Sequence, residues 1–118
     1  MIVDSKVLMG GFSEPVADAQ QAFRMLLKAM SEPGSIQTLA LTDDAPGCLH
    51  TSSWQLALTL FDADTAIWMT ESVADDPVVD GNLRFHCQSP RSAEPDQADF
   101  VLCNADDIPD LTSLKWGT

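Results

Sequence analysis

The sequence predicts a single α/β domain with a mixed or partly parallel sheet. Three observations carry this reading. Stretches with helical apolar spacing alternate with short runs of apolar and β-branched residues. The helical stretches between those runs are about 10 to 15 residues long, the size of a βαβ crossover. A chain of 118 residues with 45% hydrophobic content suits one folded domain over residues 1–118. A domain of that length buries roughly 65% of its unfolded surface.

The first helix is the most sharply written element. Ser13-Glu14-Pro15 reads as its start, with Ser13 as cap and proline in the first turn. Ala19, Phe23, Leu26, Leu27 and Met30 then fall on one apolar stripe, expected to face the core. Pro33 cannot continue a helix, and Gly34 can take the positive φ of an abrupt exit. Ser35 to Leu41 alternates enough to predict a first strand, followed by the turn cluster Thr42 to Gly47. Thr51-Ser52-Ser53 offers caps for a second helix, whose stripe is Trp54, Ala57, Leu58 and Phe61. Asp62-Ala63-Asp64-Thr65 breaks it.

Ala66 to Thr70 is a nearly continuous apolar run and predicts a buried strand. Asp75-Asp76-Pro77 opens a third helix carrying Val78, Val79, Leu83 and His86 on one side, its acidic start matched to the helix dipole. Gln88 to Asp96 is a polar loop, Asp99 to Cys103 a third strand, and Ile108 to Leu114 a last short helix. Three strands make a small sheet for this fold class.

Charge and cysteine content narrow the function classes. Eighteen acidic residues against six basic ones give a net charge of −12. Lys6, Arg24, Lys28, Arg84, Arg91 and Lys115 are scattered, so the basic patch that nucleic-acid binding needs is absent from the sequence. An acidic face can serve solubility or dock on a basic partner. No stretch approaches the ~20 apolar residues of a membrane span. Met1 to Gly11, with Asp4 and Lys6, does not read as a signal peptide, so no membrane association and a cytoplasmic location are expected. Cys48, Cys87 and Cys103 lack C-x-x-C spacing and are expected as free, mostly buried thiols.

Few residues suggest chemistry. Arg84 and His86 in Leu83-Arg84-Phe85-His86 are the candidate catalytic pair, although cations near a helix C-terminus also suit the dipole. Arg24, four residues before Lys28, is the candidate ligand-binding cation. The Cys48-Leu49-His50 and His86-Cys87 pairs supply zinc-capable atoms without a spacing that fixes a site, and no metal is expected. Asp43-Asp44, Asp75-Asp76 and Asp106-Asp107 sit at predicted turns or helix starts, where capping explains them.

The wording of the first helix carries more than its periodicity. Gln20, Phe23, Arg24, Leu26, Leu27, Ala29, Met30, Ser31, Pro33 and Gly34 resemble the opening motif of the PhnH-type subunit of the bacterial carbon–phosphorus lyase system. Further blocks resemble the same family in the same order: Thr51-Ser52 with Leu58-Thr59-Leu60 and Asp62 to Thr65, then Ile67-Trp68-Met69, Leu83-Arg84-Phe85-His86, and Pro95 to Phe100. The similarity covers about Pro15 to Cys103.

The resemblance implies an accessory, structural subunit of the carbon–phosphorus lyase core complex, acting with PhnG, PhnI and PhnJ. It would act in phosphonate utilisation where an alkylphosphonate displaces adenine from a nucleoside triphosphate to give a ribose 1-phosphonate triphosphate. The later radical cleavage belongs to an iron–sulfur subunit, which three scattered cysteines do not match. The implied fold is a three-layer αβα sandwich, similar to a reduced large domain of pyridoxal-phosphate transferases without cofactor. The implied assembly is a homodimer. Family members continue past the point where this sequence stops, so the C-terminal part of the family fold is expected to be absent, leaving an uncovered sheet edge. Two other readings stay open from the residues: a small stand-alone enzyme acting on a phosphonate or nucleotide through Arg84 and His86, and an acidic protein-binding module.

Overall fold

The computed structural model describes residues 10–114; the leader reading of the first nine residues and the tail Trp116 to Thr118 lie outside them. In chain order the elements are α1 (Pro15–Ser31), α2 (Thr51–Leu60), β1 (Ile67–Met69), α3 (Glu71–Ala74), α4 (Pro77–His86) and β2 (Phe100–Leu102). Three short 3-10 turns follow, at Pro95–Gln97 before β2 and at Ala105–Asp107 and Leu111–Ser113 after it. The strands pair in parallel, Ile67 with Phe100, Trp68 with Val101 and Met69 with Leu102. With α3 and α4 running between them, they form a βαβ unit, and the α/β class holds.

The sheet has two strands among the described residues, not three. Residues 35–41 run as irregular chain because a side chain supplies the hydrogen bonds a neighbouring strand would have given. Wholly buried Gln55 on α2 accepts from the Leu41 N–H at 2.9 Å and donates to the Leu39 carbonyl at 3.1 Å. A buried amide with two donors and an acceptor matches the backbone as a strand does. The other edge of β1 is covered by the loop after α4: the Ile67 N–H donates to Pro90 O at 3.0 Å, and the Ser92 N–H to Ile67 O at 2.8 Å.

The core lies between α2, the sheet and α4. Leu49, Trp54, Ala57, Phe61, Ile67, Met69, Val73, Val79, Leu83 and Cys87 form one buried cluster. The predicted α2 stripe holds, with Trp54 and Ala57 wholly buried. The stop after α2 is an Asx turn: Asp62 Oδ1 accepts from the Asp64 N–H and the Thr65 hydroxyl.

The α1 stripe does not face that core. Ala22 is wholly buried where α1 meets α2, but Phe23, Leu27 and Met30 are 45%, 50% and 71% exposed. The contact centres on this alanine, so the larger side chains of the stripe border grooves beside α2 and stay partly open to solvent. Two capping expectations are also corrected. Glu14, not Ser13, is the cap residue of α1, and its N–H donates to Asp18 Oδ2 at 3.1 Å. His50 stands at the cap position of α2 without a side-chain capping hydrogen bond, because helical geometry already begins at Thr51. Gly34 takes φ +92° just beyond α1, as the abrupt exit requires. The expected helix over 108–114 is reduced to the turn Leu111–Ser113, closed by Asp110 accepting from the Thr112 N–H at 3.0 Å. The extra helix α3 fits between Thr70 and the Asp75-Asp76 start of α4.

Candidate functional site at the strand ends

In a parallel sheet the carboxyl ends of the strands share one end of the molecule, and crevices there are the favoured ligand sites. Here β1 runs into Thr70-Glu71-Ser72, and β2 runs into Cys103-Asn104 and the turn Ala105–Asp107. The Thr70 N–H donates to Leu102 O at 3.1 Å, which locks the two strand ends together. Asn104 and Asp107 form a capping box, the Asn104 N–H donating to Asp107 Oδ1 at 2.9 Å. The Ser72 hydroxyl donates to Asp107 Oδ2 and accepts from Asn104 Nδ2 at 3.1 Å. The same amide approaches Cys48 Sγ at 3.9 Å.

Beside this network opens a crevice of about 580 Å³ lined by Trp68, Thr70, Glu71, Ser72, Asp107 and Pro109. The Ser72 hydroxyl holds the Asp107 carboxyl below its ordinary value; burial opposes it, and Thr70 and the N–H groups of Asn104 and Ser72 reinforce it. Asp107 is therefore a carboxylate at neutral pH. Thr70 is only 5% exposed, and its hydroxyl oxygen makes no hydrogen bond of standard geometry. The other two buried orphans among the described residues, Thr42 Oγ1 and Trp54 Nε1, belong to residues that do not line the crevice.

A second polar knot supports the floor of this end. Asp76 caps α4, its Oδ1 accepting from the N–H groups of Val78 at 3.0 Å and Val79 at 3.4 Å. Its Oδ2 accepts from the Cys48 N–H at 2.9 Å, tying the loop before α2 to the start of α4. Burial works to raise this carboxyl and is outweighed by those N–H groups and the Cys48 thiol, so it lies below its ordinary value. Gly47, at φ +53°, passes so close that a Cβ there would collide with the Asp76 carboxylate.

The residues singled out in the sequence lie elsewhere. Arg84 is paired through Nε with Asp80 Oδ2 at 2.9 Å, one turn back on α4. Arg91 closes on the other oxygen of Asp80. Burial lowers the Arg91 pKa, Asp80 opposes that, and Arg84 adds to it. His86 is half-buried, its ring meeting Trp54 edge-on at 5.4 Å and Phe85 at 5.0 Å. Arg24 lines a groove with Ala19, Gln20, Phe23 and Thr59, which neither Arg84 nor His86 borders. Cys48 is exposed, whereas Cys87 is buried with its thiol donating to Ala57 O at 3.6 Å and its pKa pushed up to about 11 by desolvation. No group of three or more His, Cys, Asp or Glu side chains converges for a metal among the described residues. None of their helices is long and apolar enough to cross a membrane.

Sequence reasoning missed Thr70, Ser72 and Asn104, and assigned Asp107 to capping alone. The signal was present: each is polar and lies within five residues after an apolar run that becomes a parallel strand. What the sequence did not show is that the two runs are neighbours in register.

Comparison with known proteins adds two findings. The model of the family described as bacterial phosphonate metabolism protein (PhnH) matches residues 10–118. The alpha-D-ribose 1-methylphosphonate 5-triphosphate synthase subunit PhnH of Rhizobium meliloti (strain 1021) is 35% identical over 74 residues. That alignment covers 63% of this chain and 37% of the relative, so the chain spans well under half of the relative's length.

Proposed function

Because this chain belongs to the PhnH family of bacterial phosphonate metabolism proteins, we propose that it is an accessory subunit of the carbon–phosphorus lyase core machinery. In this reading it works with PhnG, PhnI and PhnJ in phosphonate utilisation. Its step is formation of a ribose 1-phosphonate triphosphate from a nucleoside triphosphate and an alkylphosphonate. The carrying observation is the family match along residues 10–118, supported by a relative whose name is that of a synthase subunit.

Its contribution is assembly. The exposed Phe23, Leu27 and Met30 of α1, with Ile36 at 92% exposure beyond it, give it apolar surface to bury against a like or unlike subunit. A groove lined by Leu26, Met30, Leu56, Leu60 and Phe61 runs beside β2, whose far edge carries no further strand among the described residues. The homodimer and the three-layer body akin to a cofactor-free pyridoxal-phosphate-transferase domain belong to this proposal, as does residence in the cytoplasm. Arg84 and His86 are the groups to test for any chemistry of the chain's own.

Co-expression with PhnG, PhnI and PhnJ tests the reading. The tagged chain is expected to retain the other subunits through gel filtration, and Met30→Asp to release them. Turnover of the reconstituted complex should survive Arg84→Gln combined with His86→Gln. A chain that captures none of the subunits refutes the assembly role. Loss of turnover in the double variant with assembly intact makes the chain catalytic instead.

A further inference from the structure

The two edges of the small sheet are treated differently. On β1 the outward backbone groups are already bonded. The Ile67 N–H donates to Pro90 O at 3.0 Å, the Ser92 N–H donates to Ile67 O at 2.8 Å, and Arg91 forms an isolated parallel bridge with Ile67. A piece of this chain therefore lies along that edge. On β2 the groups of Phe100 and Leu102 turn to β1. The Phe100 N–H donates to Ala66 O at 3.3 Å, and Leu102 O accepts from the Thr70 N–H at 3.1 Å. Alternate residues of a parallel strand bond to opposite sides, so the N–H and C=O of Val101 point away from β1. No strand and no backbone group among the described residues pairs with them.

Sheets ordinarily shield such an edge with a lysine, a proline, a bulge or a covering loop. The run here is Phe100-Val101-Leu102-Cys103, with neither lysine nor proline. Beside it lies a groove of about 360 Å³, walled by Leu26 and Met30 of α1 and Leu56 and Leu60 of α2, with no charged residue in its described lining. A helix laid there satisfies its own backbone and leaves Val101 unpaired. An extended segment pairs with Val101 and turns every second side chain toward the groove. Charge narrows the occupant further. Residues 92–114 hold Glu94, Asp96, Asp99, Asp106, Asp107 and Asp110 and no lysine or arginine. A segment with apolar residues at alternate positions and cations at its ends complements both the groove and these flanks. The described part of a second copy offers no such segment: Arg24, Lys28 and Arg84 lie on helices, and Arg91 is held by Asp80.

We propose that the open edge of β2 is a strand-addition site for an extended apolar segment with basic ends, supplied by an unlike protein and paired to the N–H and C=O of Val101. Only the source of that segment rests on the assembly role proposed above; its chemistry rests on the edge, the groove and the acidic flanks.

Two synthetic peptides, KKVTVTVKK and EEVTVTVEE, test this on the full chain by calorimetry and amide hydrogen exchange. The basic peptide is expected to bind at millimolar or lower concentration, and the acidic one about tenfold more weakly or not at all. Near saturation, the basic peptide should slow exchange of the Val101 N–H by about tenfold. Val101→Pro removes the outward N–H and leaves the bonds to β1, and Ser53→Arg places a long cation in the groove from α2. Each should weaken the basic peptide by about tenfold while keeping the parent's circular dichroism. If the proline variant fails to fold, Ser53→Arg and the exchange of Val101 decide. The site is overturned if the basic peptide fails to bind, if the acidic peptide binds equally well, or if Val101 exchange is unchanged on binding. It is also overturned if both variants abolish self-association in sedimentation, which gives the edge to a second copy. Capture of PhnG, PhnI and PhnJ is measured on the same preparations. A chain that captures them but ignores the peptide loses the edge site and keeps the subunit role; one that binds the peptide and captures nothing keeps the edge site and loses the subunit role.

Discussion

Asp76 joins three backbone N–H groups from two parts of the chain, and its chemistry gives a pH signature. Its carboxyl lies below its ordinary value in the folded protein because Cys48, Val78 and Val79 donate to the charged form, more than offsetting burial. A depressed folded pKa contributes stability above the unfolded value near 3.9, and that contribution is lost as pH falls through the folded value. Asp76→Asn should therefore flatten the fall in stability on acidification below about pH 5 while lowering stability at pH 7. Removal of the cap in Asp76→Ala should cost about 0.5–2 kcal/mol at pH 7 in urea unfolding. A variant as stable as the parent at pH 7 and equally acid-sensitive would refute the role.

At the scale of elements, two leucines that look alike in the sequence part company. Leu83 on α4 is wholly buried in the core, and Leu83→Ala should cost about 2–5 kcal/mol in the folded monomer. Leu27 on α1 is half exposed, and Leu27→Ala should cost about 1 kcal/mol there. Equal losses at the two positions, measured by denaturant unfolding at low protein concentration, would contradict the placement of α1. The helices α1 and α4 were legible because periodicity agreed with a proline and acidic residues at the start, α2 from its periodicity, and both paired strands from short apolar runs. The strand expected at 35–41 was not, because alternation records which side chains suit a sheet and not whether a neighbour is there to bond. Gln55, a polar residue between Trp54 and Leu56, fills that place, and nothing in its local pattern announces it. The crevice was illegible for a related reason: Thr70 and Asp107 are far apart in the chain, and only the parallel register makes them neighbours.

For the whole molecule, the acidic surface and the uncovered apolar faces pull in opposite directions. A net charge of −12 on each copy opposes self-association, and the faces of α1 and the β2 groove favour it. At 0.15 M ionic strength such repulsion is already screened beyond about 8 Å, and at 1 M beyond about 3 Å. Dimerisation is therefore expected to strengthen with added salt, read by sedimentation at several protein concentrations. A dimer that dissociates as salt is raised would place charged contacts, not apolar ones, at the interface.

The amide of Gln55 is the described side-chain hydrogen-bond link between residues 37–41 and α2, and α1 is joined to the body in sequence through that same stretch. A strand is held by a ladder of backbone rungs; here one side chain on a neighbouring helix takes the place of two of them. Gln55→Leu would leave the Leu41 N–H and the Leu39 carbonyl without those partners, while α1 keeps its own packing on α2 through Ala22. A single residue, and not a run of backbone, therefore decides how the chain leaving the first helix is tied down.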